Sequence, residues 1–132
     1  FSNIYLIKRL LQEKKLTRNS SILFISSVST KKGIPGTALY SSSKAALSAF
    51  AKVLASEVSI KNIKVNIISP GIIETKSVET GLEINKSAIL KSYPLGFGET
   101  RDVSKLATFL LSDEAKWMTG SDITLDGGYS LI

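Results

Sequence analysis

The spacing of apolar residues along the chain changes several times, and each change predicts an element. Residues 1–16 carry Ile4, Ile7, Leu10 and Leu11 at helical spacing, with Lys8, Arg9, Lys14 and Lys15 on other faces. That pattern predicts an amphipathic helix already under way at residue 1, with no capping residue ahead of it. After the polar turn Thr17–Ser21, the run ILFIS (22–26) is short, rich in branched and aromatic residues, and apolar on both faces, as in a buried parallel strand. A loop with Gly33, Pro35 and Gly36 as breakers follows. A long helix is predicted from about Leu39 to Ser59, with Ala46, Phe50, Val53 and Leu54 on one side. KVNIIS (64–69) reads as a second buried strand, ended by Pro70-Gly71. Residues 72–98 read as irregular or short-helical, broken by Pro94, Gly96 and Gly98. A helix over roughly Thr100–Leu111 and a strand at 122–126, closed by Gly127-Gly128, complete the order. Helices alternating with buried strands imply an α/β fold, a parallel sheet of the doubly wound type.

Composition narrows the chemistry. The chain has 132 residues, 43% of them hydrophobic and 21% charged, an ordinary globular mix. It has no cysteine and no histidine. Disulfides, thiolate nucleophiles, Cys/His zinc sites, Ser-His-Asp triads and imidazole acid/base chemistry are therefore excluded. An enzyme built from this chain needs Tyr, Lys or a carboxylate as its proton donor, and no metal site is expected.

The net charge of +6 is unevenly placed: residues 1–66 hold 11 basic and 2 acidic groups, and residues 67–132 hold 6 and 9. A basic half suits a polyanionic or acidic partner, and equally a solvated lysine-rich surface. No nucleic-acid motif or interleaved aromatic cluster accompanies it. No apolar run is long enough to span a membrane. The opening FSNIYLIKRLLQEKK lacks the basic n-region, long apolar core and small-residue cleavage site of a signal peptide, so the expected compartment is the cytoplasm.

Ser27 directly follows the first strand, where ligands of open α/β sheets bind. Tyr40 and Lys44, four apart on the long helix, project from one face. Such a set performs acid catalysis without histidine. A free phenol releases its proton only near pH ~10, and an adjacent ammonium favours the phenolate. A serine hydroxyl can then share charge developing on a carbonyl oxygen. Taken alone, Tyr-x-x-x-Lys is weak, because such pairs arise by chance on helices.

The surrounding sequence adds specificity. ISSVSTKKGIPGTALYSSSKAAL places Ser27 thirteen residues before Tyr40 and Lys44 four after it. NIISPGIIET (66–75) and DVSKLATFLLSDEAKWMTGSDITLDGG (102–128) follow in order. These three segments closely resemble the active-site, Pro-Gly and C-terminal motifs of the short-chain dehydrogenase/reductase family. The bacterial 3-oxoacyl-acyl-carrier-protein reductases look like the nearest branch. The resemblance implies an NAD(P)-dependent oxidoreductase that moves a hydride between nicotinamide and a carbonyl or secondary alcohol. NADP is the expected cofactor, with NAD open. In this reading Tyr40 is the acid/base and is also one of the cofactor-binding residues. Lys44 assists it and holds the nicotinamide ribose. Ser27 binds the substrate oxygen, and Pro70, Gly71, Ile73 and Thr75 line the nicotinamide side.

The resemblance also implies what this sequence lacks. No Gly-rich pyrophosphate turn follows a strand. The family's fourth catalytic residue, an asparagine, aligns just ahead of Phe1, and Asn3 is not it. The chain is thus expected to be the C-terminal part of a doubly wound, Rossmann-like domain, with the N-terminal cofactor-binding half absent. Residues 1–132 alone are expected to aggregate, pair with that half, or fold within an oligomer, because ILFIS would expose an apolar edge. Residues 72–98 fall where the family has its substrate lid. Arg18 and Lys61 fall where the resembling reductases carry bases proposed to contact an acidic acyl carrier protein. A homo-oligomer, dimer or tetramer, is expected from the apolar load of the long helix. A reductase of sugars or other small alcohols, and a truncated non-catalytic interaction subunit, remain the alternatives.

Overall fold

In the computed structural model, residues 2–75 and 86–132 are described. Residues 76–85, part of the expected lid segment, lie outside the described residues.

Helix α1 covers Ser2–Gln12 and buries Ile7. It stops short of residue 16 because Lys14 turns left-handed, at φ 54°. The Lys15 amide then reaches back to the Leu10 carbonyl at 2.9 Å. Glycine usually serves this closing motif, so a lysine there gives no stop signal in the sequence. Strand β1 is Ser21–Ile25, α2 is Ala38–Val58 and β2 is Lys64–Pro70. Further along come β3 (Ile73–Glu74), α3 (Lys86–Leu90), β4 (Gly98–Glu99), α4 (Thr100–Leu111) and β5 (Asp122–Leu125). The α4 start is marked by a capping box between Glu99 and Asp102.

The main sheet has the order β1-β2-β5, with every pair parallel. Ser21 to Ile25 lie opposite Lys64 to Ile68, and Ile67 to Pro70 lie opposite Asp122 to Leu125. Helices α1 and α2 cover one face through a core of Ile7, Phe24, Ala51, Leu54, Ala55, Val58, Ile63, Val65 and Ile67. Helix α4 covers the other, where Ile68 and Leu110 are buried with Leu23, Ile123 and Leu125 against them. This is the doubly wound layering expected from the sequence.

Three local expectations need correction. The buried positions of α2 are Ser48, Ala51, Leu54, Ala55 and Val58, while Ala46 and Val53 face outward. Alanines lie all around this helix, so apolarity alone marks its inner face poorly. Strand β1 is not buried throughout: Phe24 is, but Ile25 is 42% exposed. Among the described residues β1 pairs with β2 alone. Finally, β3 and β4 form a separate parallel pair, Ile73 opposite Gly98 and Glu74 opposite Glu99. Two-residue strands have no periodicity to read.

Candidate active site

β1 and β2 run side by side in the same direction, and the chain beyond their carboxyl ends forms a cleft of about 610 Å³. Ser27 enters it from β1. Its backbone is extended, and its Oγ accepts the Ser29 amide at 3.2 Å, capping the tight turn Val28–Thr30. Thr30 Oγ1 donates back to the Ser27 carbonyl at 2.8 Å. Lys31, next along, pairs with the buried Asp122 carboxylate at 2.6 Å, and Ser69 Oγ donates to the same carboxylate at 2.6 Å. The turn that holds Ser27 is therefore tied to β2 and β5.

Tyr40 sits in the first turn of α2 and is 51% exposed. One turn later, Lys44 Nζ donates to the Ile25 carbonyl at 2.9 Å and stands 5.8 Å from the centre of the Tyr40 ring. The helix is fixed here by buried hydroxyls. Ser26 Oγ lies 2.8 Å from Ser48 Oγ and 3.2 Å from the Lys44 carbonyl oxygen.

The opposite wall is the segment after β2. Pro70, Gly71, Ile73 and Thr75 all line the cleft with Ser27, Tyr40 and Lys44. Every residue expected at the site thus borders one cavity. Gly71 donates its amide to the Leu125 carbonyl at 2.9 Å. A Cβ on Gly71 would lie 2.9 Å from Tyr93 Cε1 and 3.0 Å from Asp126 Cα, so only glycine fits.

Sequence reasoning missed Ser29, Tyr93 and Tyr129, which also line this cleft. Tyr93 is buried and stacks on Tyr129, with ring centres 4.5 Å apart. Lys32 Nζ lies 4.4 Å from the centre of the Tyr129 ring. Burial, with lesser help from the nearby Tyr129 and Asp126, holds the Tyr93 phenol above its usual value against the hydrogen bond from the Ile72 amide. Burial also raises the Asp126 carboxyl. Hydrogen bonds from the Ser130 hydroxyl and from the Ser130 and Gly128 amides outweigh that and leave it below its ordinary value. No motif pointed to Tyr93, while Tyr129 directly follows the Gly127-Gly128 pair and was within reach of the reading.

Arg18 and Lys61 are exposed, and each precedes a strand, β1 or β2. They lie at the amino ends of the sheet. Within one chain, β1, about 16 Å of strand, lies between them and the cleft. A second cavity, of about 630 Å³ and lined by Asn19, Lys64, Lys116 and Trp117 among others, lies at that amino end and holds none of the expected site residues. Among the described residues, no group of three or more His, Cys, Asp or Glu could hold a metal ion, and no helix is long and apolar enough to cross a membrane.

A parallel sheet wrapped on both faces, with a cleft beyond its carboxyl edge, defines a doubly wound α/β protein. Residues 1–130 match the family model described as enoyl-(acyl carrier protein) reductase, and the chain belongs to the short-chain dehydrogenase/reductase family of oxidoreductases. It is 37% identical over 128 residues to the 3-oxoacyl-acyl-carrier-protein reductase of Haemophilus influenzae, covering 96% of this chain and 53% of that protein. A short chain dehydrogenase family protein from Francisella tularensis has a TM-score of 0.90 at 31% identity, covering 99% of this chain and 58% of the other. ElxO, solved with NADP bound, has a TM-score of 0.82 at 31% identity, covering 97% and 52%. The chain spans about half the length of the curated relatives it matches.

Proposed function

We propose that this chain supplies the chemical residues of an NADP-dependent reductase of 3-oxoacyl groups carried on acyl carrier protein. The observation that carries the reading is the convergence of Ser27, Tyr40, Lys44 and the 70–75 segment on one cleft. The identity to a 3-oxoacyl-acyl-carrier-protein reductase supports the substrate class, and the similarity to ElxO with NADP bound supports the cofactor.

The donors present suit the nicotinamide end of such a nucleotide. An ammonium has three N–H donors, and the Ile25 carbonyl takes one from Lys44, which leaves two for ribose hydroxyls. Ile73 and Thr75 would face the carboxamide from the other wall. When bound, the nucleotide supplies the hydride. Tyr40 gives its phenol proton to the substrate oxygen, which gains negative charge as its carbon is reduced. Ser27 Oγ already accepts the Ser29 amide, so its own proton is free to donate to that same oxygen. In the oxidative direction Tyr40 takes the proton back.

Docking of an acidic carrier on Arg18 and Lys61 belongs to this proposal in one form only. Because these bases stand at the far end of their own sheet, they would serve the cleft of a neighbouring subunit, in a cytoplasmic homo-oligomer.

The test uses the protein made from its complete reading frame. NADPH oxidation with an acetoacetyl thioester, lost on Tyr40→Phe, is the expected result. Turnover of sugars or polyols with no thioester activity would replace the substrate class. Absence of any nicotinamide nucleotide binding would favour a non-catalytic chain.

A further inference from the structure

We infer that Tyr93 is a positioning residue for the turn after β2: its phenol oxygen anchors the Ile72 amide and its ring wedges that turn against the C-terminal segment, setting the wall that faces nicotinamide. The inference rests on the functional reading above. It adds a residue from outside the three motifs.

The geometry is specific. The Ile72 amide donates to Tyr93 Oη at 3.2 Å. The Ile72 carbonyl accepts the Gly98 amide at 3.0 Å. The peptide groups on both sides of Ile72 are thus held, one by a side chain and one by β4. Ile73, the next residue, lines the cleft. Without Tyr93 Oη, the part-buried Ile72 amide loses the partner that the structure gives it, which frees this turn to shift.

The ring does the second part. It is 5% exposed and meets Phe97 edge-on, with centres 5.1 Å apart. On another side it stacks on Tyr129, the planes only 11° apart. Its Cε1 edge lies so close to Gly71 that no side chain fits there. Tyr129 in turn is held by Lys32, whose Nζ lies over the ring and donates to the Tyr129 carbonyl at 3.0 Å. One aromatic pair therefore connects the turn at 70–73 to the loop that follows Ser27. A phenol is neutral at working pH, and burial raises this one further, so it meets the amide as a neutral acceptor.

Tyr93→Phe tests this while keeping the ring. In the complete protein, the Kd for NADPH is expected to rise about tenfold. The Kd for 2′-phospho-ADP-ribose, which has no nicotinamide, is expected to stay within about twofold. A general loss of folding would move both. Hydrogen exchange at the Ile72 amide is a second readout and should accelerate in Tyr93→Phe. Tyr129→Leu, which removes the stack and keeps the hydroxyl, should weaken NADPH in the same direction by a smaller factor. Equal loss for both ligands, no loss for either, or unchanged Ile72 exchange would overturn the inference. If the unsubstituted protein binds neither NADPH nor NADH, the functional reading fails, while accelerated Ile72 exchange would still show the anchor.

Discussion

Lys44 Nζ donates to the carbonyl of Ile25, nineteen residues earlier in the chain, at 2.9 Å. This bond joins the last residue of β1 to the second turn of α2. It holds Lys44 one turn from Tyr40 and beside Ser27. Removing the ammonium therefore removes both a charge beside the phenol and a tether between strand and helix. Lys44→Met is expected to lower kcat/KM by roughly 100-fold or more. It should also weaken nucleotide binding, read by steady-state kinetics and fluorescence titration together.

Tyr40→Phe should act on chemistry alone. The residue is half-exposed at the start of α2, so its hydroxyl carries little packing. The expected loss in kcat is about 10²- to 10⁴-fold, with nucleotide Kd and Tm nearly unchanged. A comparable loss of nucleotide affinity would assign Tyr40 to binding.

Gly71→Ala should disturb the cleft by packing. The added carbon meets the Tyr93 ring at 2.9 Å and the Asp126 backbone at 3.0 Å. A destabilisation of about 1–3 kcal/mol is expected, seen as a lower urea midpoint. Because the Asp126 backbone cannot rotate away, the turn itself must shift, and nucleotide affinity should fall with stability.

Acid should loosen the turn at Asp126–Ser130. The folded carboxyl is held below its ordinary value, so its stabilisation is complete above about pH 4. It is lost as the pH falls through the lower, folded value. Asp126→Asn should be less stable than the parent at neutral pH, and the gap should narrow below about pH 4. Thermal melts across that range measure it.

Charge reversal of Arg18 and Lys61 separates docking from chemistry. Both stand at the amino end of the sheet, remote from Tyr40. The expected result is a raised KM for the carrier-linked substrate and an unchanged KM for a small free ketone. Equal effects on both substrates would end the docking proposal. Loss of the effect in a monomeric variant would place the docked carrier at a neighbour's cleft.

Much of the fold was legible because its signals are local. The α4 boundaries agree with the apolar period and its acidic first turn, since a helix is selected by residues three and four apart. The strands at 21–25 and 64–70 were readable from short branched runs between breakers. Ser27, Tyr40 and Lys44 were readable from spacing within one motif-bearing segment, and the structure brings them to one cleft. Where a local signal was atypical, the reading slipped, as at Lys14, where a lysine closes α1 in place of glycine.

By itself, then, the sequence determined the order and kind of the elements, the parallel sheet and the three candidate site residues that the structure brings to one cleft. These depend on neighbours along the chain. Only tertiary structure decided which face of the alanine-rich α2 is buried, that Arg18 and Lys61 stand away from the cleft, and that Tyr93 reaches Ile72 across twenty-one residues. Those outcomes depend on contacts between segments distant in sequence, and packing, not periodicity, selects them.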